Sequence, residues 1–483
     1  MQEQDRLFIG GEWVAPSGTR TIEVVSPHSE QVIARVAAPG TEDVDRAVAA
    51  ARTAFDEGPW PRLDPAERVA VIRRLGALLK PRRKELSELI SAEMGAPISF
   101  AKLSHVTLPL LMMGAFADIA ENLAWEEPRK GFYGQDVLLR KEPIGVVAAI
   151  VPWNMPLFLT IGKLVPALLA GCSVVLKPSP ETPLDAYALA ESLAEAGLPQ
   201  GVVSVLPGDR EIGEYLVAHP GVDKVSFTGS TAAGRLVAAS CGSNLKRVSL
   251  ELGGKSAAVV LDDADPAAVA AGVEIAGLMN SGQACVAQTR ILVPRARYGE
   301  FVDALAAMVE SLPVGDPSDP ATKVGPLVAR RQQERVRGYI EEGQKEGARL
   351  VVGGSDLPAG IDQGWYVRPT VFADVESNMR IAQEEIFGPV LTVLPYSDDA
   401  DAVRIADDTE YGLSGSVWTS DVERGLAVAR RVRSGTFGVN QAYSMDPNAP
   451  FGGVKASGIG RELGREGIEG YLDVKSISVA PPA

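Results

Sequence analysis

Histidine and cysteine are both scarce, at three residues each in a chain of 483. No cluster of histidine, cysteine and carboxylates has metal-ligand spacing, so the sequence predicts chemistry without a metal. The cysteines, Cys172, Cys241 and Cys285, are odd in number in a long chain, which does not fit a disulfide framework. Excess positive charge is missing too. A formal net charge of −15 disfavours nucleic acid or an anionic membrane as the main partner. Long apolar runs are absent; even Ile144 to Val151 stops at Pro152-Trp153-Asn154, so no bilayer-spanning stretch is expected. Residues Met1 to Gly10 are mixed and acidic, without the basic start and apolar run of a signal peptide, and a reducing, cytoplasmic location is the expectation. Internal repeats and low-complexity tracts are lacking as well.

What is present describes an ordinary globular protein, 46% hydrophobic and 23% charged, and too long for one simple core. Strand and helix signals alternate through the middle. Ile144–Ile150, Ser173–Leu176, Val202–Leu206 and Lys224–Thr228 read as strands, with helices over Pro156–Ala170 and about Thr182–Ala196. This alternation predicts an α/β protein with a doubly wound, Rossmann-like sheet, whose ligands bind at the carboxyl ends of the strands. Asn154, Lys177, Pro207-Gly208 and Gly229-Ser230 fall at those ends. Gly229 to Gly234 opens a helix and suits a phosphate, although only the first and last glycines of the usual dinucleotide fingerprint are there. A second α/β region follows Lys255, with strands near Ala257–Leu261, Arg290–Val293, Pro389–Leu394 and Ser414–Trp418. Ahead of both come a hairpin-like start at Phe8–Trp13 and two long amphipathic helices, roughly Thr41–Glu57 and Pro65–Glu93. Val137–Arg140 and Val474–Val479 look like strands apart from both sheets, and open edges of this type often close an oligomer.

Chemistry concentrates in Glu251-Leu-Gly-Gly-Lys255 and Gly282-Gln-Ala-Cys285, whose key residues lie 34 positions apart. A thiolate attacks a carbonyl, and a carboxylate activates the water that releases the product. Taken singly, Cys285 reads as a small buried hydrophobe, Asn154 as a turn residue, and Glu251 as a strand-end carboxylate.

Together with Pro152-Trp153-Asn154, Lys177-Pro178, Phe227-Thr-Gly-Ser230, Glu384-Glu-Ile-Phe-Gly-Pro389, Pro450-Phe-Gly-Gly-Val-Lys455 and Ser457-Gly-Ile-Gly-Arg-Glu462, these motifs resemble the aldehyde dehydrogenase superfamily over nearly the whole length. The resemblance implies a cofactor domain (1–121 and 144–254), a catalytic domain (255–453) and a small β oligomerisation element (122–143 and 470–483), assembled as a homodimer or homotetramer. It makes Cys285 the nucleophile, Asn154 the oxyanion donor, Glu251 the general base, and Lys163 and Glu462 groups near that base, the latter a proton relay or a salt-bridge partner. The cofactor, NAD with NADP as a second candidate, falls to Val151, Pro152, Trp153, Lys177, Ser179, Pro180, Gly208, Phe227, Thr228, Gly229, Ser230, Leu252, Gly253, Glu385 and Phe387. One departure weakens discrimination against NADP: Pro180 stands where many members place a glutamate, and Glu181 is one place off. The implied substrate tunnel draws on Met155, Phe158, Val286 and Phe451, the helix around His105 to Met113 and the segment Tyr443 to Phe451. His105 reads as a helix-surface residue. The set is mostly apolar, with adaptable methionines, and predicts a medium-sized apolar, aromatic or terpenoid aldehyde. Glu251 speaks against an acyl-transferring relative, and the cofactor motifs against a simple thiol hydrolase.

Overall fold

The computed structural model describes residues 2–442 and 445–480. Its first large sheet holds five parallel strands: β1 (Val146–Ile150), β2 (Ser173–Lys177), β3 (Val203–Val205), β4 (Lys224–Thr228) and β5 (Arg247–Glu251). Helices α1 (Pro156–Ala170), α2 (Leu184–Glu195), α3 (Arg210–Ala218) and α4 (Thr231–Ser243) connect them. The spatial order is β5-β4-β1-β2-β3, with the antiparallel hairpin of Leu7–Ile9 and Glu12–Val14 continuing past β3 and Gly458–Ile459 past β5. Strands β1 to β4 are buried along their whole length, as a parallel sheet covered on both faces requires. Connections leave β1 in opposite directions, so the β1–β4 boundary is the switch point where such sheets open a crevice. Helix α1 carries Pro166 internally and stops at Gly171, whose φ of 100° supplies the left-handed cap.

A second sheet of seven strands has Ala257–Val260 near its centre, flanked by Arg290–Pro294 and Val390–Tyr396 on one side and Gly415–Trp418 on the other. A third, three-stranded antiparallel sheet joins Glu126–Lys130, Asp136–Pro143 and Leu472–Val479. Its outer strands are exposed almost throughout, and Phe132 and Tyr133 at its turn stand fully in solvent.

Two expectations need correction. The helix expected across Pro65–Glu93 is two, Pro65–Leu79 and Arg83–Met94, parted by a tight turn at Lys80-Pro81-Arg82. Proline has no N–H to donate and its ring crowds the preceding turn. Secondly, the continuous 24-residue helix Ile98–Glu121 is long and apolar enough to cross a membrane by length and composition. Its apolar residues are interspersed with Lys102, His105 and Asp118, so no single run betrays it. Pro109, Met112, Met113 and Phe116 on this helix are buried in the core.

Candidate active site

At the switch point a cleft of about 820 Å³ opens beside the carboxyl ends of β1, β2 and β4. Val151, Pro152, Trp153, Lys177, Ser179, Pro180, Gly208, Phe227, Thr228 and Ser230 all line it. Ser230 caps α4, its Oγ accepting from the Ala233 N–H at 3.3 Å. No acidic side chain occupies the first turn of that helix, so the positive end of its dipole is left to an anion. Lys177 is buried, which pushes its amine down to about 8. The amine donates to the Gly208 carbonyl at 2.5 Å and to the Pro178 carbonyl at 3.1 Å. On the same wall the Glu181 carboxylate accepts from both Ser179 Oγ and Arg331.

A smaller cavity of about 190 Å³ shares Pro152, Trp153, Thr228 and Ser230 with the cleft and adds Asn154, Gly229, Leu252, Gly253, Cys285, Glu385 and Phe387. Glu385 Oε1 accepts from the Gly254 N–H at 3.0 Å, and burial pushes its carboxyl up to about 7. A Cβ on Gly253 would lie 2.6 Å from that carboxylate, so a larger residue there would push the Glu385 side chain aside. Phe387, at φ 64°, meets Trp153 edge to face with ring centres 5.4 Å apart. Cys285 follows a loop in which Asn280, Ser281 and Gly282 are all left-handed. Its thiol is pushed up to about 12, first by burial and then by the charges of Glu385 and Glu251. Asn154 Nδ2 donates to the Gln283 carbonyl at 3.0 Å, two residues before that sulfur.

Glu251 ends β5. Its carbonyl accepts the Gly229 N–H at 3.1 Å, while its side chain is buried with Oε2 lacking a hydrogen bond. A Cβ on Gly452 would reach 2.7 Å from Oε1. Burial raises this carboxyl well above its ordinary value, and the nearby Glu462 adds to the shift. Glu462 itself forms a buried ion pair with Lys163 of α1. Ser226 of β4 lies 3.4 Å from the lysine amine and 3.5 Å from the Glu462 carboxylate. Tyr471 donates to Ser226 Oγ at 3.1 Å.

A half-buried thiol and the cleft thus share one set of walls, with a buried carboxylate acting on the thiol from behind. Residues 13–477 match the model of the aldehyde dehydrogenase family. The chain is 48% identical over 98% of its length to a geranial dehydrogenase of Castellaniella defragrans, covering 98% of that protein. It superposes at a TM-score of 0.97 on a Mycobacterium tuberculosis aldehyde dehydrogenase complexed with NAD+, at 50% identity and 99% coverage of both chains. A mutant of aldehyde dehydrogenase C from Pseudomonas syringae, complexed with NAD+ and octanal, is 43% identical at a TM-score of 0.95, with 98% of this chain and 96% of that one covered. The chain belongs to the aldehyde dehydrogenase family.

Within this family member, the fifteen residues expected at the cofactor all line one cavity or the other, and Cys285 and Asn154 line the smaller one. Glu251, Lys163 and Glu462 form a separate buried group linked electrostatically to the thiol. Met155, Phe158, Val286 and Phe451 are buried in the apolar cluster against which Cys285, Trp153 and Met445 pack; none of the four lines either cavity. Tyr443 lies outside the described residues. His105 is not a surface residue: a turn of π-helix over Ala101–Thr107 aims it inward, and it is completely buried. Several participants escape sequence reasoning. Arg331, Gln332 and Arg335 reach the cavities from the helix Arg330–Lys345, whose polar sequence reads as a solvated face. Arg335 donates to the Glu385 carbonyl at 2.5 Å. Lys255 is buried with no partner for its amine and pushed down to about 7 by that burial; it sits inside a recognised motif without any signal of its environment.

Proposed function

We propose that this protein oxidises an aldehyde to the carboxylic acid with NAD, discriminating weakly against NADP, through a covalent intermediate on Cys285. One observation carries the reading: Cys285 and Asn154 share a cavity wall with Glu385 and Phe387, and that cavity has Pro152, Trp153, Thr228 and Ser230 in common with the cleft at the sheet's switch point. The thiol rests protonated, because burial and two carboxylates hold its pKa up. Its sulfur bonds the aldehyde carbon as the thiol proton passes to the Glu251 carboxylate, which hands it on to the Glu462–Lys163 pair before the next step. The oxyanion so formed is met by the Asn154 amide and the Cys285 backbone N–H; one donor of this kind contributes about 10²–10³ in rate. A nicotinamide dinucleotide, which Lys177, Ser230 and Glu385 would hold, would supply the two-electron acceptor, leaving a thioester on Cys285. Glu251 then draws a proton from water, with the Glu462–Lys163 pair beside it to pass the proton on.

The substrate we infer is an apolar, aromatic or terpenoid aldehyde. Apolar side chains pack around Cys285, and relatives named for geranial or solved with octanal support the same class. The open three-stranded sheet supports a homodimer or homotetramer built through residues 126–143 and 472–479, in the cytoplasm. Glu251→Gln tests the chemistry: it releases one equivalent of NADH, more slowly than the parent because the thiol proton loses its acceptor, and then stalls, with a thioester on the peptide carrying Cys285. Continuous turnover at the parental rate removes Glu251 as the base. An unmodified Cys285 peptide in a preparation making NADH refutes the covalent route. Activity confined to succinate semialdehyde or betaine aldehyde across an aldehyde panel overturns the substrate class.

A further inference from the structure

The buried ion pair of Lys163 and Glu462 needs more than its own two charges. Both side chains lie away from water, and attraction between two desolvated charges offsets their burial only when further hydrogen bonds satisfy them. Ser226 supplies such bonds. It is completely buried on β4, with its Oγ 3.4 Å from the Lys163 amine and 3.5 Å from Glu462 Oε1. A hydroxyl has one proton to give and two lone pairs to offer. The lysine ammonium can only donate, so it takes a lone pair and leaves the Ser226 proton for the carboxylate.

Tyr471 fixes that polarity. Its Oη donates to Ser226 Oγ at 3.1 Å and fills the second lone pair. The phenol keeps its proton, because burial, and after it the charge of Glu462, raises its pKa. The tyrosine is itself held firmly. Its ring lies 5.0 Å from the Lys224 amine, which donates to Ser249 Oγ at 2.6 Å. Its carbonyl accepts the Ile144 N–H at 3.1 Å. The backbone then runs straight into the strand Leu472–Val479, registered against Asp136–Pro143. A one-way chain of donors, from Tyr471 to Ser226 to Glu462, is thus anchored on two sheets.

We propose that Ser226 and Tyr471 are positioning residues for the Lys163–Glu462 pair: the phenol directs the serine hydroxyl, and the hydroxyl keeps amine and carboxylate aligned to take the proton that Glu251 releases. The inference rests on that pair serving Glu251. Its effect falls on thioester hydrolysis, since Glu251 takes the thiol proton directly and the pair enters only afterwards. Rapid quenching after a single turnover, read by intact-protein mass spectrometry, follows the decay of the acyl group on Cys285 at a pH where Glu251 is ionised. Tyr471→Phe removes one oxygen and leaves the ring over Lys224. It slows the decay about 10-fold, the scale of one buried hydrogen bond beside a charge, while NADH forms in the first turnover at the parental rate. Ser226→Ala slows the decay at least as much, and adding Tyr471→Phe to it costs nothing further. In a Glu462→Gln background neither substitution slows the decay again. Parental decay in either single variant, additive losses in the double variant, or equal slowing of NADH formation and decay overturns the proposal. A parental decay in Glu462→Gln alone refutes instead the reading on which it rests.

Discussion

Replacing Gly282 by alanine adds one carbon where the fold has no space. An ideal Cβ there lies 2.1 Å from the Gly388 carbonyl oxygen, 2.3 Å from its carbon and 2.8 Å from the Pro389 nitrogen. All three are backbone atoms at the entry to the strand Val390–Tyr396, so no side-chain rotation relieves the contact. Reaching ordinary contact at 3.4 Å needs the gap to open by more than an ångström. The left-handed φ adds a penalty of about 1–2 kcal/mol for a residue with a Cβ. Of the two sides, the loop yields, because the opposing strand pairs in register with both of its neighbours. Cys285 sits three residues along that loop. Moving a nucleophile by about 1 Å costs on the order of 10² in rate. Gly282→Ala is therefore expected to lose that factor in kcat and to change the rate at which iodoacetamide labels Cys285. NAD affinity, titrated directly, separates a displaced loop from an unfolded protein. Parental kcat with parental labelling would refute the argument.

Glu251 must be ionised to activate water, and its raised pKa places the acid limb of thioester hydrolysis above the ordinary carboxylate range. Glu462→Gln removes the like charge and leaves Lys163 to favour the Glu251 anion, so the limb of the kcat–pH profile moves to lower pH; an unmoved limb uncouples the two carboxylates. Asp185 is buried beside Glu93 and burial pushes it up to about 7. A carboxyl whose folded pKa exceeds its unfolded value drains stability as pH rises through that interval, here from about 4 to about 7. Asp185→Asn should narrow the fall in Tm between pH 5 and pH 8, and an unchanged fall removes Asp185 as its cause. Arg331 faces Glu181 and Ser179 in the cleft. Arg331→Ala is expected to lower kcat/KM with NADP about 10-fold more than with NAD, the scale of one charge-assisted contact, and equal losses dismiss it as a reader of the 2′-phosphate.

Much of the cleft is legible because its chemistry sits at strand ends, and period and punctuation reveal strand ends. Asn154 and Lys177 follow short apolar runs that have few other readings, and Gly229 follows a strand marked by its β-branched and aromatic residues, Val225, Phe227 and Thr228. Less legible is anything that depends on rotation about a helix axis. His105 falls on the same buried stripe as Ala101, Pro109 and Met112, and a polar side chain there gives no local sign of its burial. The break at Lys80-Pro81-Arg82 is hidden for another reason: the buried apolar period of Leu75 and Leu79 runs on through Leu86 and Ile90. The Lys163–Glu462 pair joins residues 299 apart, and Arg331 meets Glu181 across 150. Pairings at such range are set by the packing of two sheets, which no local window contains. The motif at Glu251 shows the same limit. Its carboxylate is recognisable in sequence, yet the burial that determines its proton affinity comes from Gly452, Gly453 and Glu462, brought back from the far end of the chain.

Four adjacent residues serve two masters. The Glu251 carbonyl anchors the amide of Gly229, Leu252 and Gly253 wall the smaller cavity, and the Gly254 amide steadies Glu385. Ser457 clasps the same segment from behind through its carbonyl and its hydroxyl. On the proposed mechanism, dinucleotide grip and acyl release are geared to a single short ribbon. That mechanism makes any substitution here that retunes coenzyme preference disturb the hydrolytic carboxylate as well, so the two traits travel together under selection or engineering.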